Sequence, residues 1–354
     1  MTTDQIASES IELLKKMIEI PSLSREEKEV ADYLEGKFTI WGLNPTRCDN
    51  NLWMRNKDWS DSKPVILLNS HIDTVRPAKG WTYEPFRATA HEDMITGLGS
   101  NDAGASVVAL LGTFRHYCEK SYLPYNLLLC ISAEEEISGD KGIASILDQL
   151  GKIDLAIVGE PTQMQLAIAE KGLLVLDCEA KGRAGHAARN EGENAIYKAI
   201  KDIQILENYK FPTDSAILGP VKMTVTQIEA GQQHNVVPDS CRFVVDVRTN
   251  EFYSNEAAFQ IISGLVQSEV HPRSFRLNSS GINADHPLVQ RGLEIGLTIY
   301  GSPTTSDQAV IPYPSIKIGP GDSARSHTAN EYILIPEIRE GIATYIRLLD
   351  QLKF

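Results

Sequence analysis

Long apolar runs are missing from this chain: nothing in its 354 residues approaches the roughly 20 consecutive apolar positions a helix needs to span a bilayer. The amino terminus, Met1 to Ile6, lacks the basic start and apolar stretch of a secretory leader. Both absences make the cytoplasm the expected location. Basic residues are also in short supply. Lys and Arg number 34 against 47 Asp and Glu, a net charge of -13 that repels phosphate backbones and anionic membranes. Neither nucleic acid nor a membrane surface is therefore expected as a partner. Cysteine is sparse: Cys48, Cys118, Cys130, Cys178 and Cys241 are odd in number and widely spaced, with no C-x-x-C pair. That pattern argues against a disulfide framework and against a thiolate metal site. Repeats and low-complexity tracts are absent as well.

What is present is ordinary globular material, 42% hydrophobic and 23% charged, enough for one large core or two modest ones. Ile6, Ile11, Leu14, Met17 and Ile18 repeat at helical spacing until Pro21 stops the pattern. Ser24 with Glu27 carries a capping-box signature for a second helix through Tyr33, Leu34 and Phe38, with Gly42 as its stop. Strands and helices then alternate. A strand ending at Asn69, a helix from about Ala103 to Tyr117, a strand ending near Ser132, a helix after Gly142 and a strand ending at Val158 form a βαβ succession. Such a succession predicts an α/β fold, a mostly parallel central sheet with helices on both faces.

The pattern changes after Lys171 and Gly172. Leu173 to Ala180, Val221 to Ile228 and Cys241 to Val247 alternate in polarity like half-exposed strands, and Asn194 to Leu206 and Asn255 to Val270 read as amphipathic helices. Residues 172–282 are thus expected to form a smaller inserted α+β domain. Residues 283–354, which carry Ile316 to Gly319 and the His327 loop, are expected to rejoin residues 1–171 in one discontinuous domain.

Acidic and histidine residues sit just past the apolar runs. His71 and Asp73 follow Val65 to Asn69, Glu134 to Glu136 follow Leu127 to Ile131, and Glu160 follows Leu155 to Val158. Asp102 lies in a glycine-rich turn, and His327 in a late loop. Each signal taken alone is more often a solvated turn. Together, on strands ending at one edge of a parallel sheet, they describe a metal site of oxygen and nitrogen ligands. In an extended segment His71 and Asp73 face the same way, so Asp73 is placed to hold the imidazole in the tautomer that frees a nitrogen for metal. Adjacent glutamates divide the work, one binding metal and its neighbour free as a general base. Gly97 to Gly104 resembles a dinucleotide-binding turn, but Asp102 stands where its third glycine belongs and would repel a pyrophosphate.

His71 to Pro77 with Trp81 and Pro85-Phe86, Gly97-x-Gly99-x-x-Asp102, the glutamate run, Val158 to Pro161 and His327 together resemble the zinc amidohydrolases that include acetylornithine deacetylase and succinyl-diaminopimelate desuccinylase. Aminoacylases and several peptidases belong to the same superfamily. In the insertion, Gly182 to His186, Gly231 with Asn235 to Pro238, and Asp246 to Arg248 resemble that family's ferredoxin-like lid or dimerisation domain. The resemblance implies a zinc-exopeptidase-like fold and two Zn2+ ions, with Co2+ or Mn2+ as substitutes. Asp102 would bridge them, His71 and Glu160 would complete one, and Glu136 and His327 the other. Glu135 would be the base and Asp73 the partner of His71, although a shift of one residue, making Glu134 the base and Glu135 the ligand, stays open. His186 would reach across from a second subunit of a homodimer to stabilise the oxyanion. Asn235, Arg248 and the loop at Gly321 would hold the substrate. The implied reaction is amide hydrolysis of a small N-acyl-L-amino acid, N-acetyl-L-ornithine or an acylated citrulline or lysine first. Succinyl-diaminopimelate desuccinylation, di- or tripeptide hydrolysis and a non-catalytic binding role are the alternatives.

Overall fold

The computed structural model describes residues 1–118, 120–189 and 191–353. The chain forms two compact units: Met1–Ile168 with Gly281–Tyr300 and Ser306–Phe354, and Ala169–Ser280 with Gly301–Thr305. The divisions fall slightly before the junctions expected from the sequence. The short segment Gly301–Thr305, expected in the first unit, belongs to the second.

In chain order the strands before the second unit are β1 (Thr46–Cys48), β2 (Asn51–Arg55), β3 (Val65–His71), β4 (Thr89–His91), β5 (Met94–Thr96), β6 (Asn126–Ser132), β7 (Leu155–Val158) and β8 (Leu166–Glu170). The second unit contributes β9 (Leu174–Lys181), β10 (Gly185–His186), β11 (Lys222–Ala230), β12 (Val236–Val237), β13 (Ser240–Arg248) and β14 (Glu269–Pro272). After them come β15 (Ser280–Gly281), β16 (Ile299–Ser302), β17 (Ser315–Lys317) and β18 (Tyr332–Leu334). The main sheet runs β1-β2-β6-β3-β7-β17-β8-β15, with β16 beside β8. Its centre, β6-β3-β7-β17, is parallel, and antiparallel pairs β1/β2, β2/β6 and β17/β8 flank it.

The central strands are near-continuous apolar runs because both of their faces are covered. On β3, Ile66 and Leu68 join a core under the helices Thr3–Ile18, Lys28–Ile40, Ala105–Tyr117 and Ile335–Leu349, while Val65 and Leu67 join a second core with Ile143, Ile146 and Leu150. On β6, Leu127, Leu129 and Ile131 split from Leu128 and Cys130 in the same way. Helix Ala105–Tyr117 is buried almost all round, being packed between the sheet and the first and last helices, which explains its lack of a polar face. No helix among the described residues is long and apolar enough to cross a membrane.

The second unit is a β-α-β-β-α-β succession with strand order β11-β13-β9-β14, all antiparallel, which is the ferredoxin-like split βαβ arrangement. One face of this sheet packs on helices Ala195–Asn208 and Asn255–Leu265 around Leu174, Leu176, Phe243 and Val245. Strand β9 alternates strictly between buried and half-buried positions up to its exposed last residue, as a one-faced sheet requires.

Candidate metal centre

Parallel register decides where the site forms. His71 pairs with Ser132 and Asn69 with Val158, so the residues after β3, β6 and β7 leave the sheet at one carboxyl edge. Lys317 pairs with Val158, which brings the segment after β17, through Gly321 to His327, to the same edge. Asp102 arrives from the turn before helix Ala105–Tyr117.

There the expected side chains converge. His71 Nε2 lies 3.3 Å from Asp102 Oδ1, 3.6 Å from Glu160 Oε1 and 3.8 Å from Glu135 Oε2. His327 Nε2 lies 2.9 Å from Glu136 Oε2 and 3.7 Å from Asp102 Oδ2. Asp102 thus stands between the two imidazoles. Two donor groups, His71 with Asp102 and Glu136, and His71 with Glu135 and Glu160, each have ligand atoms within 4.8 Å of one another.

The donor set fits divalent cations. His71 Nε2 is buried and makes no hydrogen bond, although a buried ring nitrogen normally has a partner. Its other nitrogen, Nδ1, lies 2.9 Å from the main-chain oxygen of Asp73; an N–H there donates to that oxygen and leaves the Nε2 lone pair free for a metal. Four carboxylates crowd the same space. Burial, with Asp102 adding repulsion, pushes the Glu160 carboxyl up to about 8, and burial raises Glu135 and Glu136 as well. The hydrogen bond to Glu136 draws His327 up to about 9. Burial works against the ionised form of Asp102, but the neighbouring His71 ring outweighs it and lowers that carboxyl. A cation removes the repulsion among these groups, and oxygen and nitrogen donors without sulfur suit zinc, cobalt or manganese.

Two local expectations change, and one open choice closes. The Asp73 carboxylate stays beside the His71 ring, 3.4 Å from Nδ1, but the main-chain oxygen is nearer, and the carboxylate also accepts from Glu135 N at 2.9 Å and Glu136 N at 3.1 Å. Asp73 therefore shapes the glutamate turn as well, and both its peptide oxygen and its carboxylate face His71. Ser24 does not cap a helix: helix Lys28–Ile40 starts after Glu27, and Ser24 Oγ donates to Asp73 Oδ2 at 2.7 Å. The Ser-x-x-Glu signal here marks a site contact and not a cap. Glu134 is turned away from the cluster, its φ being 54° and its carboxylate accepting from Lys141 N at 3.2 Å. Glu135 and Glu136, not Glu134 and Glu135, are the pair that faces the histidines.

Two buried carboxylates escaped the sequence reading. Asp307 accepts from Asn69 Nδ2 at 2.8 Å and from Ser132 Oγ at 2.7 Å, tying the ends of β3 and β6 together beneath the cluster. Glu331 accepts from three main-chain N–H groups of the Asp102 turn. The only local hint was position, Asp307 lying in the polar run Thr304 to Gln308 and Glu331 just before β18.

Gly321 has a φ of 89°, and its carbonyl accepts from Gln163 N at 2.7 Å beyond Glu160. His186, Asn235 and Arg248 belong to the second unit. His186 is exposed on β10, which pairs with β12, and Ala187 N donates to the Asn235 carbonyl at 3.0 Å, so those two are neighbours. Arg248 ends β13 with its Nε and Nη2 on the Asp246 carboxylate at 2.8 and 3.0 Å.

Known proteins share this organisation. A succinyl-diaminopimelate desuccinylase of Wolbachia pipientis wMel is 23% identical, over 96% of this chain and 92% of the relative. A [LysW]-lysine/[LysW]-ornithine hydrolase of Sulfurisphaera tokodaii is 27% identical, over 96% and 95%. A dinuclear metal-binding peptidase of Bacillus subtilis has the same fold, with a TM-score of 0.71 at 15% identity and 98% of each chain covered. The family model of peptidase family M20/M25/M40 matches residues 67–351, a span that runs from inside β3 to past the last helix. With the match reaching over most of the chain and the donor cluster inside it, this protein belongs to peptidase family M20/M25/M40 and is a metal-dependent hydrolase.

Proposed function

We propose that this hydrolase cleaves the amide bond of an N-acyl-L-amino acid, N-acetyl-L-ornithine first, with acylated citrulline or lysine as close candidates. The observation that carries the reading is the placement of Glu135, a carboxylate beside His71 and held by its own main-chain N–H on Asp73. In this reading His71, Asp102, Glu136, Glu160 and His327 would hold two zinc ions, or cobalt or manganese, and the bound metal would supply Lewis acidity to the carbonyl and acidity to water. Glu135 takes a proton from the attacking water as its oxygen bonds to the amide carbon. The carbon–nitrogen bond then breaks, and Glu135 returns the proton to the departing amine, leaving a carboxylic acid and a free amino acid. Burial of the Glu135 carboxyl raises its pKa, which suits a group that must both take and give a proton.

His186 contributes from a second copy in a homodimer, donating to the carbonyl oxygen as it gains charge. Asn235 and Arg248 receive the substrate's free carboxylate, and the Gly321 loop supplies backbone donors to the substrate. Arg248 must exchange Asp246 for that carboxylate, a swap of one two-pronged ion pair for another. Support for an amino-acid product comes from the two relatives, whose names each place an amino acid on one side of the bond cut. The desuccinylase among them favours the second reading, removal of an anionic succinyl group.

The test is amine release by the zinc- or cobalt-loaded protein over N-acetyl and N-succinyl amino acids and dipeptides, with a chelated control. Chelator-sensitive turnover of N-acetylornithine supports the first reading. A requirement for the succinyl group selects the second, and turnover confined to peptides with a free α-amino group overturns both. Mixing His186→Ala with Glu135→Gln subunits tests the shared site: activity returns if mixed dimers assemble one complete centre.

A further inference from the structure

We propose that Glu331 is the positioning residue of this centre, setting Asp102 and His327 against each other by gripping the main chain of the Asp102 turn. The inference rests on the metal-centre reading above. Glu331 is only 2% exposed. Its Oε1 accepts from Asn101 N at 2.8 Å and Asp102 N at 2.9 Å, and its Oε2 from Gly99 N at 3.1 Å. The Glu331 carbonyl takes a fourth N–H of the same turn, that of Gly97, at 3.0 Å.

This turn satisfies only part of its own donors: Ser100 N and Gly104 N bond back to the Gly97 and Gly99 carbonyls, while the N–H groups of Gly99, Asn101 and Asp102 go to Glu331. Gly99 has a φ of 73°, and Asp102 and Ala103 have φ values of -117° and -116°, outside the helical range, just before helix Ala105–Tyr117. N–H groups in irregular backbone removed from water need an acceptor, and Glu331 supplies it for those of Gly99, Asn101 and Asp102. Charge-assisted hydrogen bonds of this kind are shorter and stronger than neutral ones, and their geometry fixes the donors in place.

The same residue lies four positions after His327, so one carboxylate fastens the two segments whose side chains meet at Asp102 Oδ2 and His327 Nε2, 3.7 Å apart. Asn101 adds a second tie between the two segments, its Nδ2 donating to the Asp322 carbonyl at 3.1 Å and to Ser326 Oγ at 3.2 Å. A glutamine at position 331 would keep one acceptor and turn an amide N–H2 toward peptide N–H groups. It would therefore loosen the turn while preserving volume and burial. An aspartate keeps the charge and loses reach.

Glu331→Gln and Glu331→Asp in the full chain test this, each stripped with chelator and titrated with Zn2+ against a chromophoric competitor. The expected result is about 10- to 100-fold weaker zinc binding, the usual cost of removing a group that orients metal ligands, with the loss concentrated in the second equivalent. Added zinc should restore kcat without changing KM. Amides of residues 97–102 should exchange faster in the metal-free Gln variant, while its melting temperature stays near that of the parent. Parent-like zinc affinity together with parent-like amide exchange overturns the proposal. A variant that melts early but binds zinc as tightly as the parent also overturns it, since Glu331 would then be a structural staple only. Should Glu331→Gln fail to fold, Glu331→Asp carries the same readouts. His71→Ala separates the two levels: if it still binds two zinc ions, the metal-centre reading itself fails, whereas loss there with none in the Glu331 variants removes only the positioning role.

Discussion

The two histidines of the cluster are held in opposite ways. The His71 side chain is 1% exposed, ends a fully buried strand, and is aimed by a main-chain oxygen two residues on. The His327 side chain is 54% exposed, sits in a loop at a φ of 59°, and meets Glu136 as its close side-chain partner. The sheet builds one side of the centre before any ligand arrives. The other side depends on a loop and on the carboxylates that brace it. Preorganised ligands bind more tightly because less ordering is needed on binding, so the His71 side should be the tight metal position and the His327 side the weak one.

The strongest blow to that contrast is His71→Ala, which should reduce turnover below detection and empty the tight position, as metal analysis after dialysis would report. Retention of two metals would show that the buried side is not the anchor. Glu135→Gln should lower kcat by about 10²- to 10⁴-fold, the range for a lost general acid–base, while metal content stays at the parent level. Loss of metal instead would make Glu135 a ligand. His327→Ala sharpens the contrast directly: calorimetric titration should show one zinc equivalent weakened and the other unchanged. Equal loss of both would mean that the two sides act as one unit.

Smaller effects concern the groups beneath. Asp307→Asn sets a donor amide against Asn69 Nδ2 and Ser132 Oγ, and should cost about 1–3 kcal/mol in urea denaturation, the price of an unsatisfied buried group. Ser24→Ala removes one hydrogen bond to Asp73 and should cost about 1 kcal/mol, with metal affinity little changed. A larger loss of metal affinity in Ser24→Ala than in His327→Ala would reverse the ranking of the two sides.

Much of the buried side was legible in advance. Strands β3, β6 and β7 are covered on both faces, so they appear in the sequence as uninterrupted apolar runs, and the first charged residues after each run mark the edge where the site forms. The braces were not legible. Glu331 reaches Asn101 across 230 residues of chain and Asp307 reaches Asn69 across 238, and no local periodicity reports contacts at such separation. Ser24 failed for the converse reason, because Ser-x-x-Glu is a sound local cap signal and a tertiary partner, Asp73, claimed the hydroxyl instead. Among the three adjacent glutamates the choice was equally non-local. The N–H groups of Glu135 and Glu136 are drawn to Asp73, and Glu134 is left to Lys141.

By itself, then, the sequence determined the α/β class, the family, and the residue types at the strand ends, because burial period and chemical identity are local properties. Tertiary structure closed the one-residue choice among the glutamates, and it alone decided which oxygen of Asp73 lies nearer His71 and which carboxylates hold the ligands still. Those outcomes depend on parallel register and on hydrogen bonds between segments hundreds of residues apart, where only the folded chain brings donor and acceptor within reach.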